Sequence, residues 1–328
     1  MKTEKPSDHS HTEKKCNKCH TDDFDVIKLL EKSRNDCLRC HTDDRLIKAL
    51  SETTQKKTFA GESELKAFIP DKKISLNDGM RFELYPDKTR LGDAPNEMKL
   101  IPAGPFIRGT DSRLFDEGPQ HNVDVGAFFI DIYEVTNAQY KKYLDDTGRR
   151  APTHFKNRSY PQGKADHPVT YVSWKNAKSY CEWAGKRLPT DIEWEKAARG
   201  TDGRQFPWGD VFEINNANTP VRWEALNRKG DTTPVGSFTG GISPYGIYDM
   251  TGNVWEWTSS WYEAYPGNTS PSENYGHRYK TLKGGSWFDC SFYKCGLSAP
   301  VYNRSFFSMR TKNDSFGFRC AKDADLKK

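Results

Sequence analysis

The chain has no uninterrupted apolar stretch approaching the roughly 18 residues that a helix needs to cross a bilayer, so no membrane-spanning helix is expected in its 328 residues. Hydrophobic residues are scarce, at 35%, and mean hydropathy is −0.88, which excludes a core made mainly of Leu/Ile-rich helices. Charge of one sign is also missing: 50 Lys and Arg stand against 45 Asp and Glu, and the excess of five is spread along the chain. No nucleic-acid-binding motif accompanies it, so nucleic acid is not an expected partner. Residues 1–15 lack any apolar run, and histidine is rare, with 8 in the whole chain.

What is present is concentrated. Aromatic residues reach 13%, with nine Trp, so burial is expected to rest on large amphipathic rings. Four of the eight cysteines fall in two short stretches, Cys16-Asn-Lys-Cys19-His20 and Cys37-Leu-Arg-Cys40-His41. Each is CxxC followed at once by His, the spacing at which two thiols add to the vinyl groups of one haem while the imidazole reaches its iron. Both copies read on as His-Thr-Asp-Asp, so a 21-residue unit is used twice. The expectation is two haem c groups, held by Cys16, Cys19 and His20 and by Cys37, Cys40 and His41. The competing reading is a four-thiolate zinc ribbon, whose C-x2-C-x17-C-x2-C spacing fits the same cysteines but leaves both histidines without a role.

His9 and His11 are the other two imidazoles in the first fifty residues. They suffice as distal ligands, giving closed six-coordinate iron suited to electron transfer; the alternative is a disordered polar leader. Thioether attachment in bacteria takes place outside the cytoplasm, so a periplasmic or otherwise exported protein is expected. A signal peptide is then expected upstream of Met1; if Met1 is the native start, an unrecognised export route or the zinc reading gains.

Three regions are expected: a dihaem-binding segment at 1–50 with short helical pieces, a Lys/Glu/Thr-rich linker at 51–94 that partly packs on the next region, and an aromatic-rich domain at 95–328. In the last, Thr136 with Gln139 forms a capping box for a helix around Ala138 to Leu144. Ser173 opens a second helix that ends at Gly185, and Thr190 with Glu193 caps a third from Asp191 to Arg199, stopped by Gly200. Phe128-Phe-Ile-Asp and Tyr279-Lys-Thr-Leu read as strands. The class is α+β, dominated by irregular structure.

A series of motifs comes in order through this domain: Leu100-Ile-Pro-Ala-Gly-Pro-Phe, Asp116-Glu-Gly-Pro-Gln-His, Tyr133-Glu-Val-Thr-Asn, Pro168-Val-Thr-Tyr-Val-Ser-Trp, Tyr180-Cys-Glu-Trp-Ala-Gly-Lys-Arg-Leu-Pro-Thr, Glu193-Trp-Glu-Lys-Ala-Ala-Arg-Gly, Phe206-Pro-Trp-Gly, Thr251-Gly-Asn-Val-Trp-Glu-Trp, Lys283-Gly-Gly-Ser-Trp and Gly317-Phe-Arg-Cys. Together they closely resemble the formylglycine-generating enzyme (sulfatase-modifying factor) family over residues 95 to 325. The resemblance implies a C-type-lectin-like variant fold with a loop-built site. It also implies oxidation of a substrate cysteine to formylglycine, with oxygen and a copper(I) ion held by two cysteines spaced C-x4-C. Cys290 and Cys295 carry that spacing, and two soft thiolates suit Cu(I).

Two features depart from the family pattern. Cys290 lies one residue later relative to Gly284-Gly285-Ser286, and the arginine-rich stretch after the second cysteine is replaced by Gly296-Leu-Ser-Ala-Pro300. A copper or redox-active pair, a structural disulfide and free thiols all remain open for Cys290 and Cys295. By resemblance, Ser286 matches an active-site residue, with a turn hydroxyl as the alternative. Cys181 and Cys320 match a structural disulfide. Asn253, Val254 and Glu256 match a calcium site, with a buried hydrogen-bond network as the alternative. Trp174, Trp183, Trp194, Trp208, Trp255 and Trp257 are expected in the core.

Three functions compete on this reading. The first is an exported dihaem cytochrome whose large domain is a docking scaffold for a redox partner protein. The second is a copper-dependent oxidase acting on a protein cysteine, with the haems feeding electrons to its oxygen chemistry. The third is a non-redox zinc ribbon joined to a lectin-like binding domain.

Overall fold

The computed structural model describes residues 90–288 and 299–324. The expected haem segment and most of the linker, with His9, His11, Cys16, Cys19, His20, Cys37, Cys40 and His41, lie outside the described residues, as do Cys290 and Cys295.

Strands β1 (Met98–Ile101), β2 (Gly104–Arg108), β3 (His121–Val125) and β4 (Phe128–Asp131) open the domain, followed by helices α1 (Asn137–Thr147), α2 (Trp174–Trp183), α3 (Asp191–Arg199) and α4 (Pro220–Ala225). Strands β5 (Trp255–Trp261), β6 (Lys280–Lys283), β7 (Ser305–Phe307), β8 (Phe316–Gly317) and β9 (Ala321–Asp323) complete it. They form a three-stranded sheet in the order β1-β4-β9, a β2-β3 hairpin and a four-stranded sheet in the order β7-β6-β5-β8. The short β8 runs parallel to β5, pairing Trp255 with Phe316 and Glu256 with Gly317. Long irregular stretches separate these elements, as the α+β reading expects, and none of the described helices is long and apolar enough to cross a membrane.

The capping chemistry read from the sequence fixes the helix starts. Thr136, Ser173 and Thr190 each accept from the backbone N–H three residues on, and the residue there returns a bond to the cap. Each such cap removes an orphan donor, a contribution of about 1 kcal/mol. α1 runs three residues past the expected Leu144, because the chain continues helical until Gly148 enters the left-handed region at φ 67° and donates to the Leu144 carbonyl. α2 stops at Trp183, just before Gly185 at φ 69°.

Three hydrophobic clusters result among the described residues, the smallest of them around Phe206, Phe212, Ile214 and Ala299. The largest packs Tyr140, Tyr143, Tyr180, Trp257, Phe316 and Phe318 around the Cys181–Cys320 disulfide, which joins α2 to the segment before β9. The second gathers Trp194, Phe128, Ile130, Met250 and Val301. Trp194, Trp255 and Trp257 are fully buried as expected, whereas Trp174, Trp183 and Trp208 are only partly buried against the clusters. The end of the expected linker is tied to this body: the Arg90 backbone N–H donates to Asp166 at 2.8 Å, and Asn96 bonds to the Tyr133 carbonyl and the Gln139 side chain.

Candidate functional site

The Gly284-Gly285-Ser286 turn leads directly to a cleft of about 410 Å³ whose wall includes the next residue, Trp287. Four chain segments meet there: the start of α1 with Asn137, the irregular stretch 154–171, the loop 229–232, and Asp314 before β8. Gly230 lets the indole close the wall, since a Cβ on it would lie 2.8 Å from Trp287 Cε3 and 3.0 Å from Trp223 Cδ1.

Apolar surface from Pro161, Pro168, Tyr171 and Trp287 is interrupted in this cleft by several polar groups. Lys164 Nζ donates to Asp231 at 2.7 Å and lies 3.3 Å from His167 Nδ1, which also sits 2.8 Å from the Thr232 hydroxyl. Burial, then the Lys164 charge, lowers the His167 imidazole to about 3, so the ring is neutral near neutral pH. His154 is likewise lowered to about 4, by burial and then by Lys164. Its ring packs between Phe155 at 4.9 Å and Tyr171 at 5.2 Å. Tyr171 holds a left-handed backbone at φ 55°, fixed by its N–H to the Asn313 carbonyl.

Three buried polar atoms on this wall have no hydrogen-bond partner among the described residues: Asn137 Oδ1, His154 Nδ1 and Trp287 Nε1. Asn137 is only 3% exposed, and its amide nitrogen is already committed to the Lys164 carbonyl at 2.9 Å. A buried polar atom left unpaired costs about 1–3 kcal/mol. Three on one cleft wall make it a surface built to be completed by a ligand or by ordered water.

The residues singled out in the sequence are placed differently. Ser286 is buried and its hydroxyl is turned onto the local backbone, donating to the Phe288 carbonyl and accepting from the Phe288 N–H at 3.1 Å. Asn253 and Glu256 sit away from the cleft lining, in a closed network. Asn253 Oδ1 accepts from Thr233 N–H at 3.0 Å and Asn218 Nδ2 at 3.1 Å, while its Nδ2 donates to Glu134 at 2.6 Å. The Val254 N–H donates to the other Glu134 oxygen at 3.2 Å. Both Glu256 oxygens take the Arg319 guanidinium at 2.7 Å, and one also accepts from Trp194 Nε1 at 2.8 Å.

A calcium ion needs free hard oxygens, and here the side-chain oxygens of Asn253 and Glu256 are spent on N–H donors, with a fixed positive charge on the carboxylate. This donor set does not fit a calcium shell, and among the described residues no group of three or more His, Cys, Asp or Glu could hold a metal ion. Burial, with Asp249 and Glu256 adding to it, holds the Glu134 carboxyl well above its ordinary value, and burial raises Asp249 to about 6.

Residues 82–324 match the family described as the sulfatase-modifying factor enzyme 1-like domain. The chain belongs to this family. The match begins inside the stretch read as linker. Among its relatives, the formylglycine-generating enzyme of Bos taurus is 31% identical over 289 residues, covering 70% of this chain and 75% of the relative. A protein of the same organism named inactive C-alpha-formylglycine-generating enzyme 2 is 32% identical over 280 residues, covering 69% and 88%. Among solved structures, PvdO from Pseudomonas aeruginosa superposes with a TM-score of 0.56 at 28% identity, over 73% of this chain and 97% of that one. An active and an inactive relative stand equally near, so membership carries the fold and leaves activity to the site.

Sequence reasoning did not single out Asn137, His154, Lys229 or Asp314. They come from the start of α1 and three separate loops, and no spacing in the sequence marks them as neighbours. Trp287 was within reach, since it closes the Gly-Gly-Ser-Trp motif.

Proposed function

We propose that this chain is an exported dihaem c-type cytochrome fused to a formylglycine-generating-enzyme-like domain, and that it passes electrons to or from a partner oxidoreductase. The observation that carries this reading is the repeated CxxCH-Thr-Asp-Asp unit, with Cys16, Cys19, Cys37 and Cys40 as thioether positions and His20 and His41 as iron ligands. The buried Cys181–Cys320 disulfide supports an oxidising compartment, where such haems are attached. Haem bound there supplies one-electron chemistry. A pyridine haemochrome spectrum tests the reading. Two haems per chain with a thioether-type α-band are expected; a colourless protein with bound zinc would overturn it in favour of the zinc ribbon.

The cleft beside Ser286 and Trp287 favours a second reading, a copper-dependent oxidase acting on a protein cysteine, with Cys290 and Cys295 as the copper(I) pair. Its balance needs a reductant: one cysteine side chain, one dioxygen, two electrons and two protons give one aldehyde, one hydrogen sulfide and one water. Two one-electron haems on the same chain match that demand. Turnover of a peptide bearing Cys-x-Pro-x-Arg, lost in Cys290→Ala, is the expected result; unchanged turnover in that variant would remove the copper assignment.

A further inference from the structure

The charges lining the cleft are balanced in sign and only partly spent within the protein. Lys164 and Asp231 neutralise each other. Lys229 and Asp314 line the same cleft, and neither forms an ion pair among the described residues. Asp314 is half-buried, and burial holds its carboxyl above the ordinary value, with Asp231 adding to the shift and Lys229 opposing it. An anion and a cation that feel each other but form no ion-pair contact among the described residues therefore share a pocket with an unpaired acceptor, Asn137 Oδ1, and an unpaired donor, the Trp287 indole N–H. His154 Nδ1 adds a third unpaired atom, and Tyr171, Trp287, Pro161 and Pro168 supply apolar surface.

We propose that this cleft binds a small zwitterion, an amino acid or amino-acid derivative, with Asp314 facing its ammonium group and Lys229 its carboxylate. Asn137 Oδ1 accepts a ligand N–H and Trp287 Nε1 donates to a ligand oxygen, so the atoms left open by the fold are closed by the ligand. A purely cationic or purely anionic ligand satisfies one of these two charges and leaves the other facing it with like sign. A volume of about 410 Å³ lies in the range of small-molecule sites. The inference rests on reading the cleft as a ligand site; it does not depend on the haem assignment.

Isothermal titration calorimetry on the full chain decides it, with L-phenylalanine, L-leucine and L-cysteine as probes. Saturable binding of at least one is expected, weakened roughly tenfold or more when its ammonium is capped as the N-acetyl derivative or its carboxylate as the amide. Asp314→Asn should abolish discrimination against the N-acetyl form alone, and Lys229→Gln discrimination against the amide alone. Both are near-isosteric changes at the rim, and an unchanged melting temperature shows that the fold is intact. Absence of saturable binding by all three probes would overturn the proposal. Equal binding of the doubly capped N-acetyl amide would also overturn it, marking a cleft that reads peptide backbone. Either failure leaves the haemochrome result and the peptide-oxidation assay unaffected, so it is distinguishable from failure of the functional reading.

Discussion

Two buried polar regions of this domain are built from similar residues and end in opposite states. Around Asn253, every side-chain oxygen of Asn253, Glu134 and Glu256 is met by a protein donor, and Arg319 answers the Glu256 charge from both sides. Around Asn137, three polar atoms lack a partner and a cation and an anion form no ion-pair contact among the described residues. A satisfied network holds the fold, whereas an unsatisfied one costs stability unless something from outside completes it. The difference assigns the first region to structure and the second to binding.

The comparison breaks most sharply at Arg319. Its guanidinium is fully buried and reaches Glu256, the Tyr248 carbonyl and the backbone of Asp131 and Ile132. Arg319→Met should leave a buried carboxylate without its countercharge and cost about 3–5 kcal/mol in urea unfolding. A loss below about 1 kcal/mol would mean that the network is not closed as described. Gly230→Ala probes the other region. Its Cβ would press on two indoles, and overpacking of this kind costs about 1–3 kcal/mol. Because Trp287 is only half-buried and can shift toward the cleft, the stability loss should be smaller than for Arg319→Met, while affinity for the zwitterionic probe falls steeply. A variant equally stable and equally able to bind would show that the indole does not form the wall.

Asn137→Ala should cost still less, about 1 kcal/mol, because one of its two amide atoms already lacks a partner. Its effect on ligand binding should exceed its effect on unfolding. The reverse ordering would place Asn137 with the structural network instead.

Much of the frame was legible in the sequence, for local reasons. Thr136, Ser173 and Thr190 cap helices through side chains three residues apart, and the two cysteines of the disulfide sit inside motifs that the family resemblance aligns. The site was legible only at its edge. Gly-Gly-Ser-Trp and the Asn137 that closes Tyr133-Glu-Val-Thr-Asn mark parts of the wall, but His154, Lys229 and Asp314 join them through loop geometry that no periodicity encodes. Glu256 illustrates the converse. Its motif suggested a hard-cation ligand, and only the approach of Arg319 from 63 residues away shows where its charge is spent. The family resemblance likewise does not separate these roles, since the same residue types can hold a fold or a ligand.

An effect comparable to that of Asn137→Ala is a pH dependence that reports on the imidazole behind the cleft residues Lys164 and Thr232. His167 is 6% exposed and faces Lys164, Asp231, Asp166 and Thr232, and burial, then Lys164, lowers its imidazole to about 3. In the unfolded chain it takes up a proton near pH 6.5, so the folded state binds fewer protons between pH 6.5 and about 3. The stability associated with the neutral ring is therefore present above pH 6.5 and is lost as the pH falls through that window, at up to about 1.4 kcal/mol per pH unit. Asp131 and Asp249, both raised to about 6, act with the opposite sign over part of the range, so a single curve for the native protein would blur the effect. Comparison with His167→Gln cancels them: between about pH 6.5 and 5 the native protein should lose roughly 1–2 kcal/mol more than the variant. Parallel curves would mean that the imidazole is charged in the folded protein and paired with Asp231, which would move Lys164 out of its ion pair and change the charge balance on which the cleft's selectivity rests.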